Sequence, residues 1–131
     1  MAIVYNDWSG GIASQGCVTV IGATRTRLGY VLDADLPASA GANKALIKVS
    51  LSARATSGDY MCGHDIYEFN GGEGSHDWLI LDRSWLSSGA DNWTVEFADG
   101  TDLELFFTGE AAHTIDVGYT IEILNKSRYS L

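Results

Sequence analysis

An antiparallel all-β domain built from two stacked sheets is the fold class this sequence predicts, and three observations predict it. Residues 114–124 alternate strictly: Ile115, Val117, Tyr119, Ile121 and Ile123 share one parity, and Thr114, Asp116, Gly118, Thr120 and Glu122 the other. That two-residue period belongs to a strand with one buried and one wet face. From Trp78 onward the chain is a run of short alternating apolar segments divided by turn residues, with no sustained helical period. Finally, 131 residues with 46% hydrophobic composition, 15 glycines and one proline describe a turn-rich globular chain with room for one domain.

Taken in order, residues 1–15 are polar and glycine-rich and read as an extended N-terminal arm, anchored only by Tyr5 and Trp8. Residues 17–22 and 26–33 are candidate strands, and residues 36–43 a turn-rich connection holding Pro37 and Gly41. Residues 44–54 alternate again, with Ile47, Val49, Leu51 and Ala53 facing one way and Lys48, Ser50 and Ser52 the other. A turn at 56–59 leads to a strand at 64–69 that closes on Asn70-Gly71-Gly72, a strong turn signal. Residues 77–82 are mostly apolar and read as a central strand, with Trp78 and Ile80 buried. Residues 85–92 read as a helical turn or compact loop. Trp93, Val95 and Phe97 then form an inward face, Asp99-Gly100 makes a hairpin turn, and Leu103, Leu105 and Phe107 answer on the return strand. Residues 125–131 form a C-terminal tail. Eight or nine strands at this spacing predict a sandwich of jelly-roll topology over the single domain 1–131.

The formal charge is −9, from 17 acidic and 8 basic side chains, and the basic ones are scattered. Such a body repels phosphate, which disfavours nucleic acid and anionic membranes as partners. The N-terminal stretch lacks the apolar h-region of a secretory signal, so synthesis in the cytosol is expected. Cys17 and Cys62 are expected to be free, buried thiols, because two cysteines do not make a disulfide framework.

Between Leu79 and Phe97 the order is an apolar strand, then DRSWLSSGADN, then WTVEF: a Trp-Leu pair, a glycine, and Asn92 leading into the next strand. This passage resembles the "wL..G.N.l.v" stretch of galactose-binding-domain-like jelly rolls, which also carry an NG turn upstream, as Asn70-Gly71 does here. The likeness covers roughly residues 44–107. It implies the jelly-roll sandwich more than it implies sugar binding, since one fold hosts many functions.

Catalysis is not expected. Ser75-His76-Asp77 has triad residue types, but sequence neighbours on one segment cannot form the relay, and no G-x-S-x-G elbow is present. His64, His76 and His113 show no H-x-H or H-E-x-x-H spacing. No cofactor is expected, and the weak metal candidates are the calcium-type oxygens of Asp99, Asp102 and Glu104 at one hairpin. Trp85 beside Asp91 and Asn92 offers a sugar floor, with apolar C–H faces on the ring and hydroxyls on the polar groups. The termini offer assembly contacts: Tyr5 and Trp8 on the arm, and Lys126, Arg128 and Tyr129 on a basic tail of an acidic protein. A small acidic sandwich with sticky arms resembles, in style, the decoration, cement, fibre or tail proteins of phage and viral particles. The expectation is therefore a virion subunit that docks on itself or on capsid or tail proteins through arms and sheet edges. The alternative is a carbohydrate-binding module or lectin.

Overall fold

The computed structural model describes residues 11–32, 44–72 and 75–127. They form eight strands: β1 (Gly11–Ile21), β2 (Arg25–Val31), β3 (Lys44–Ala55), β4 (Tyr60–Gly72), β5 (Ser75–Ser88), β6 (Thr94–Asp99), β7 (Leu103–Thr108) and β8 (Thr114–Ser127). A five-stranded sheet in the order β1-β8-β3-β4-β5 stacks on a three-stranded sheet in the order β2-β7-β6, every pair antiparallel. The chain changes sheet from β1 to β2, β2 to β3, β5 to β6 and β7 to β8, while β3-β4-β5 stays together as a meander. This is the all-β sandwich that the alternation predicts.

The core is the sum of the alternating faces. Ile47, Val49, Leu51 and Ala53 of β3, Ile115, Val117, Tyr119, Ile121 and Ile123 of β8, and Leu103, Leu105 and Phe107 of β7 are all buried. Burying each of the larger side chains contributes about 1.5–3 kcal/mol. Aromatic rings tie the sheets together: Phe97 of the small sheet meets Tyr67 at 4.9 Å and Phe69 at 5.3 Å, both edge-on. Phe97 thereby places β6 over the β4–β5 side of the large sheet. At the other side, Gly29 of β2 lets Tyr119 lie against the backbone, where its hydroxyl meets Ser14 Oγ at 3.1 Å; a Cβ at Gly29 would collide with both.

Several local expectations are corrected. The first strand starts at Gly11 rather than 17, because residues 11–15 pair along β8 in spite of their polar character. The arm proper, with Tyr5 and Trp8, lies outside the described residues, as do Arg128 and Tyr129. At the other end β8 runs on to Ser127, so 125–127 are strand rather than tail. Asn70, Gly71 and Gly72 belong to β4 instead of turning, because they continue the ladder to Ser75. Residues 77–82 lie on an edge strand, not a central one: among the described residues β5 pairs only with β4. That position explains why Ile80 is 41% exposed and Trp78 only partly buried.

Residues 85–88 also belong to β5 and not to a loop, and the reason is a bulge. Tyr67 faces Ile80, but the preceding Ile66 faces Asp82, so Leu81 is an extra residue in the strand. Trp78 and Trp85 are an odd number of residues apart and would face opposite sides of an unbroken strand. With Leu81 bulged out, both pack against the core.

Both cysteines are free, as expected, but neither is fully buried: Cys17 is exposed and Cys62 half-buried. Cys17 faces Gly118, Gly118 faces Ser52, and Ser52 faces Cys62. Three strand steps separate the thiols by roughly 14 Å, twice the reach of a disulfide.

Candidate functional site

Asp65 is the buried charged residue among the described ones, with none of its surface exposed. It sits on β4 with the parity of Tyr67 and Phe69, so its carboxylate points between the sheets. Four donations satisfy it. Arg83 of β5, directly opposite, gives Nε–H to Oδ1 at 3.0 Å and Nη2–H to Oδ2 at 3.1 Å. Tyr67 gives its hydroxyl to Oδ2 at 2.8 Å, and Trp85 its Nε1–H to Oδ1 at 2.7 Å. A buried carboxylate is tolerated only when paired and hydrogen-bonded in this way.

The pairing has electrostatic consequences. Burial first, and then the adjacent Asp65, push the Tyr67 hydroxyl far above the ordinary tyrosine range. The hydrogen bond to Asp65 raises Arg83 further still, so its charge is permanent. Gly63 makes the close approach possible. It faces Trp85 across the ladder with φ +154°, and a Cβ there would run into the Ser84 carbonyl.

Above this cluster lies a groove of about 210 Å³ between the open edges of the two sheets, lined by Met61, Arg83, Trp85, Trp93, Thr94 and Val95. Trp93 enters it from the turn before β6. There its backbone N–H donates to Ala90 O, and its ring packs on Phe107 at 6.0 Å and His113 at 6.1 Å. The Trp93 Nε1–H is buried without an acceptor among the described residues, a condition native proteins rarely leave unexplained. The groove thus combines two indoles, a threonine and one half-exposed guanidinium. It can stack a ring and hydrogen-bond an anion.

The site residues expected from sequence are dispersed. Trp85 belongs to the groove, whereas Asp91 and Asn92 are exposed on the following turn and do not line it. Asn92 instead donates Nδ2–H to Glu110 Oε1 at 2.8 Å. Glu104 leans toward Arg27, 3.8 Å away, and among the described residues Asp99, Asp102 and Glu104 do not form a group of three metal-binding side chains. Lys126 lies on β8, its side chain outside the description. His64 contacts Asp82 at 3.2 Å, not its sequence neighbour Asp65. The residues missed were Asp65, Tyr67 and Arg83. Their signal was present: Asp65 is a charge on the buried parity of a strand whose next inward positions are Tyr67 and Phe69.

Fold and site together define a two-sheet β-sandwich with a buried carboxylate cluster under an aromatic groove. No protein-family description matches the sequence, and no curated protein does. Among solved structures the chain is similar to the tailspike protein of Acinetobacter phage vB_ApiP_P1, at 12% identity and a TM-score of 0.37, over 91% of this chain and 22% of the tailspike. That likeness is too distant to carry function from one protein to the other.

Proposed function

We propose that the chain is a non-catalytic assembly subunit of a phage or viral particle, a decoration, cement, fibre or tail component that docks on neighbouring subunits through a sheet edge. The observation that supports this reading is β5. It is a 14-residue edge strand, and its large apolar residues Leu79, Ile80, Leu81 and Leu86 are 61%, 41%, 50% and 70% exposed. Edge strands are normally blunted by charge, proline or brevity. β5 is long and lacks proline, and its central Trp-Leu-Ile-Leu run carries no charge. A strand from a neighbouring subunit, added along this edge, satisfies the free backbone groups and covers the leucines. Antiparallel pairing of β5 with β5 of a second copy is self-complementary and closes as a dimer. The terminal residues Tyr5, Trp8, Lys126, Arg128 and Tyr129 serve as additional anchors in this reading.

The test is light scattering on the purified protein beside Leu79→Lys/Leu81→Lys, two exposed positions whose substitution spares the core. The parent is expected to form a defined oligomer and the variant to be a folded monomer. A parent that stays monomeric at high concentration, or a variant that assembles equally well, refutes docking through β5. The particle assignment is tested separately by mass spectrometry of purified virions from the source; absence of the chain from them refutes it.

A further inference from the structure

We infer that the groove between β5 and β6 is a binding site for a saccharide that carries a carboxylate, held by Arg83 and stacked on Trp85. The inference goes beyond the assembly role and does not depend on it.

The argument begins with what Arg83 has left to offer. A guanidinium presents five N–H groups in a planar fork. Asp65 takes two of them, on the Nε–Nη2 side. The remaining three include the end-on pair of Nη1 and Nη2, the geometry that receives a second carboxylate bidentately. Besides Asp65, the partner seen for Arg83 among the described residues is the adjacent Tyr67 hydroxyl, and the side chain is 53% exposed where it lines the groove. Asp65 fixes the guanidinium in place before any ligand arrives, so little rotamer freedom remains to be lost on binding.

Trp85 is held by the same carboxylate. Its Nε1–H is committed to Asp65 at 2.7 Å, which sets the angle of the ring in the groove wall. A fixed indole offers a flat apolar face for the C–H groups of a pyranose. Thr94 is exposed in the opposite wall and adds a hydroxyl for ligand oxygens. At about 210 Å³ the groove is smaller than the pockets of ~300–1,000 Å³ that enclose drug-sized ligands. It suits a single ring. Charge narrows the class further: Arg83 is the one cation among the described residues of the lining, and an uncharged sugar would leave its end-on N–H pair to water.

The test follows the indole Nε1–H signals of all four tryptophans in NMR spectra of the 15N-labelled protein. The titrants are D-glucuronic acid, N-acetylneuraminic acid, the neutral sugars D-glucose and N-acetylglucosamine, and sodium acetate. A carboxylated sugar is expected to shift Trp85 and Trp93 saturably, and to bind about ten- to a hundredfold tighter than a neutral one, the worth of a charged hydrogen bond. Thr94→Glu, at an exposed position, should abolish that binding by like-charge repulsion with the fold intact. Arg83→Lys keeps the charge but not the fork, and should remove the preference for the acid. No saturable shift, equal binding of neutral sugars, equal shifts with acetate, or undiminished binding by Thr94→Glu would each overturn the proposal.

Discussion

Replacing Arg83 by methionine should destabilise the protein more than its half-exposed position suggests, and a second substitution should then restore part of the loss. Arg83→Met removes two of the four donors to Asp65 and leaves a fully buried carboxylate facing only Tyr67 and Trp85. Removing one partner of a buried ion pair costs about 3–5 kcal/mol. With the guanidinium 53% in water, about 2–4 kcal/mol is the better figure. In Asp65→Asn/Arg83→Met no charge is buried. The amide oxygen still accepts from Trp85, and the amide N–H₂ can donate to the Tyr67 hydroxyl, which reverses its role. The double variant should therefore be more stable than Arg83→Met alone by about 1–2 kcal/mol. Urea unfolding followed by tryptophan fluorescence reads both. At a slope of about 2 kcal/mol per molar urea, the single variant's midpoint falls by about 1–2 M and the double variant recovers about half. If the double variant is as unstable as the single one, or less stable, Asp65 is not held as an ion in need of its partner and the reasoning fails.

Three further outcomes follow from the same geometry. The pKa of Tyr67 is raised in the folded state, so its contribution to stability is complete below the unfolded tyrosine value of about 10 and is lost as pH rises beyond it. In an alkaline titration followed by tyrosinate absorbance, one of the six tyrosines should ionise only as the protein unfolds; six ionising freely in the folded state would contradict this. Gly63→Ala should cost about 2 kcal/mol or more by driving a Cβ into the Ser84 carbonyl, measured as a lowered thermal midpoint. Cys17 should react with a thiol reagent in the native protein, and intact mass should be the same with and without reductant; a two-dalton difference would refute the row geometry.

The strands whose alternation is unbroken could be read directly. β3, β8 as far as Ile123 and the β6–β7 hairpin keep one parity on the core side, and Ile47, Leu105 and Ile121 fall where the period puts them. β5 defeated the same reading for two physical reasons. The bulge at Leu81 changes parity in mid-strand, so Trp85 no longer matches Trp78 and its segment looks like a loop. The apolar run 78–81 also suggests a central strand, whereas it marks an edge left uncovered by the smaller sheet. β1 was only half visible because its first residues pair through their backbone and bury little. The cluster around Asp65 was legible in part. A charge on a buried parity announces a partner, but which residue supplies it depends on the β4–β5 register, and the bulge sets that register.

Leu81 is therefore a surplus residue in the ladder, and deleting it should straighten the edge without disturbing the interior. With that residue gone, Ile80 would lead directly into Asp82, and the pairs Tyr67–Ile80, Ile66–Asp82 and Asp65–Arg83 would follow one another without a break. Trp78 and Trp85 would then share a face by simple alternation, and Asp65 would keep its four donors. One codon separates a kinked border from a straight one, and an unchanged tryptophan emission in the deletion variant would register that the interior is indifferent to the difference; a red shift would contradict it.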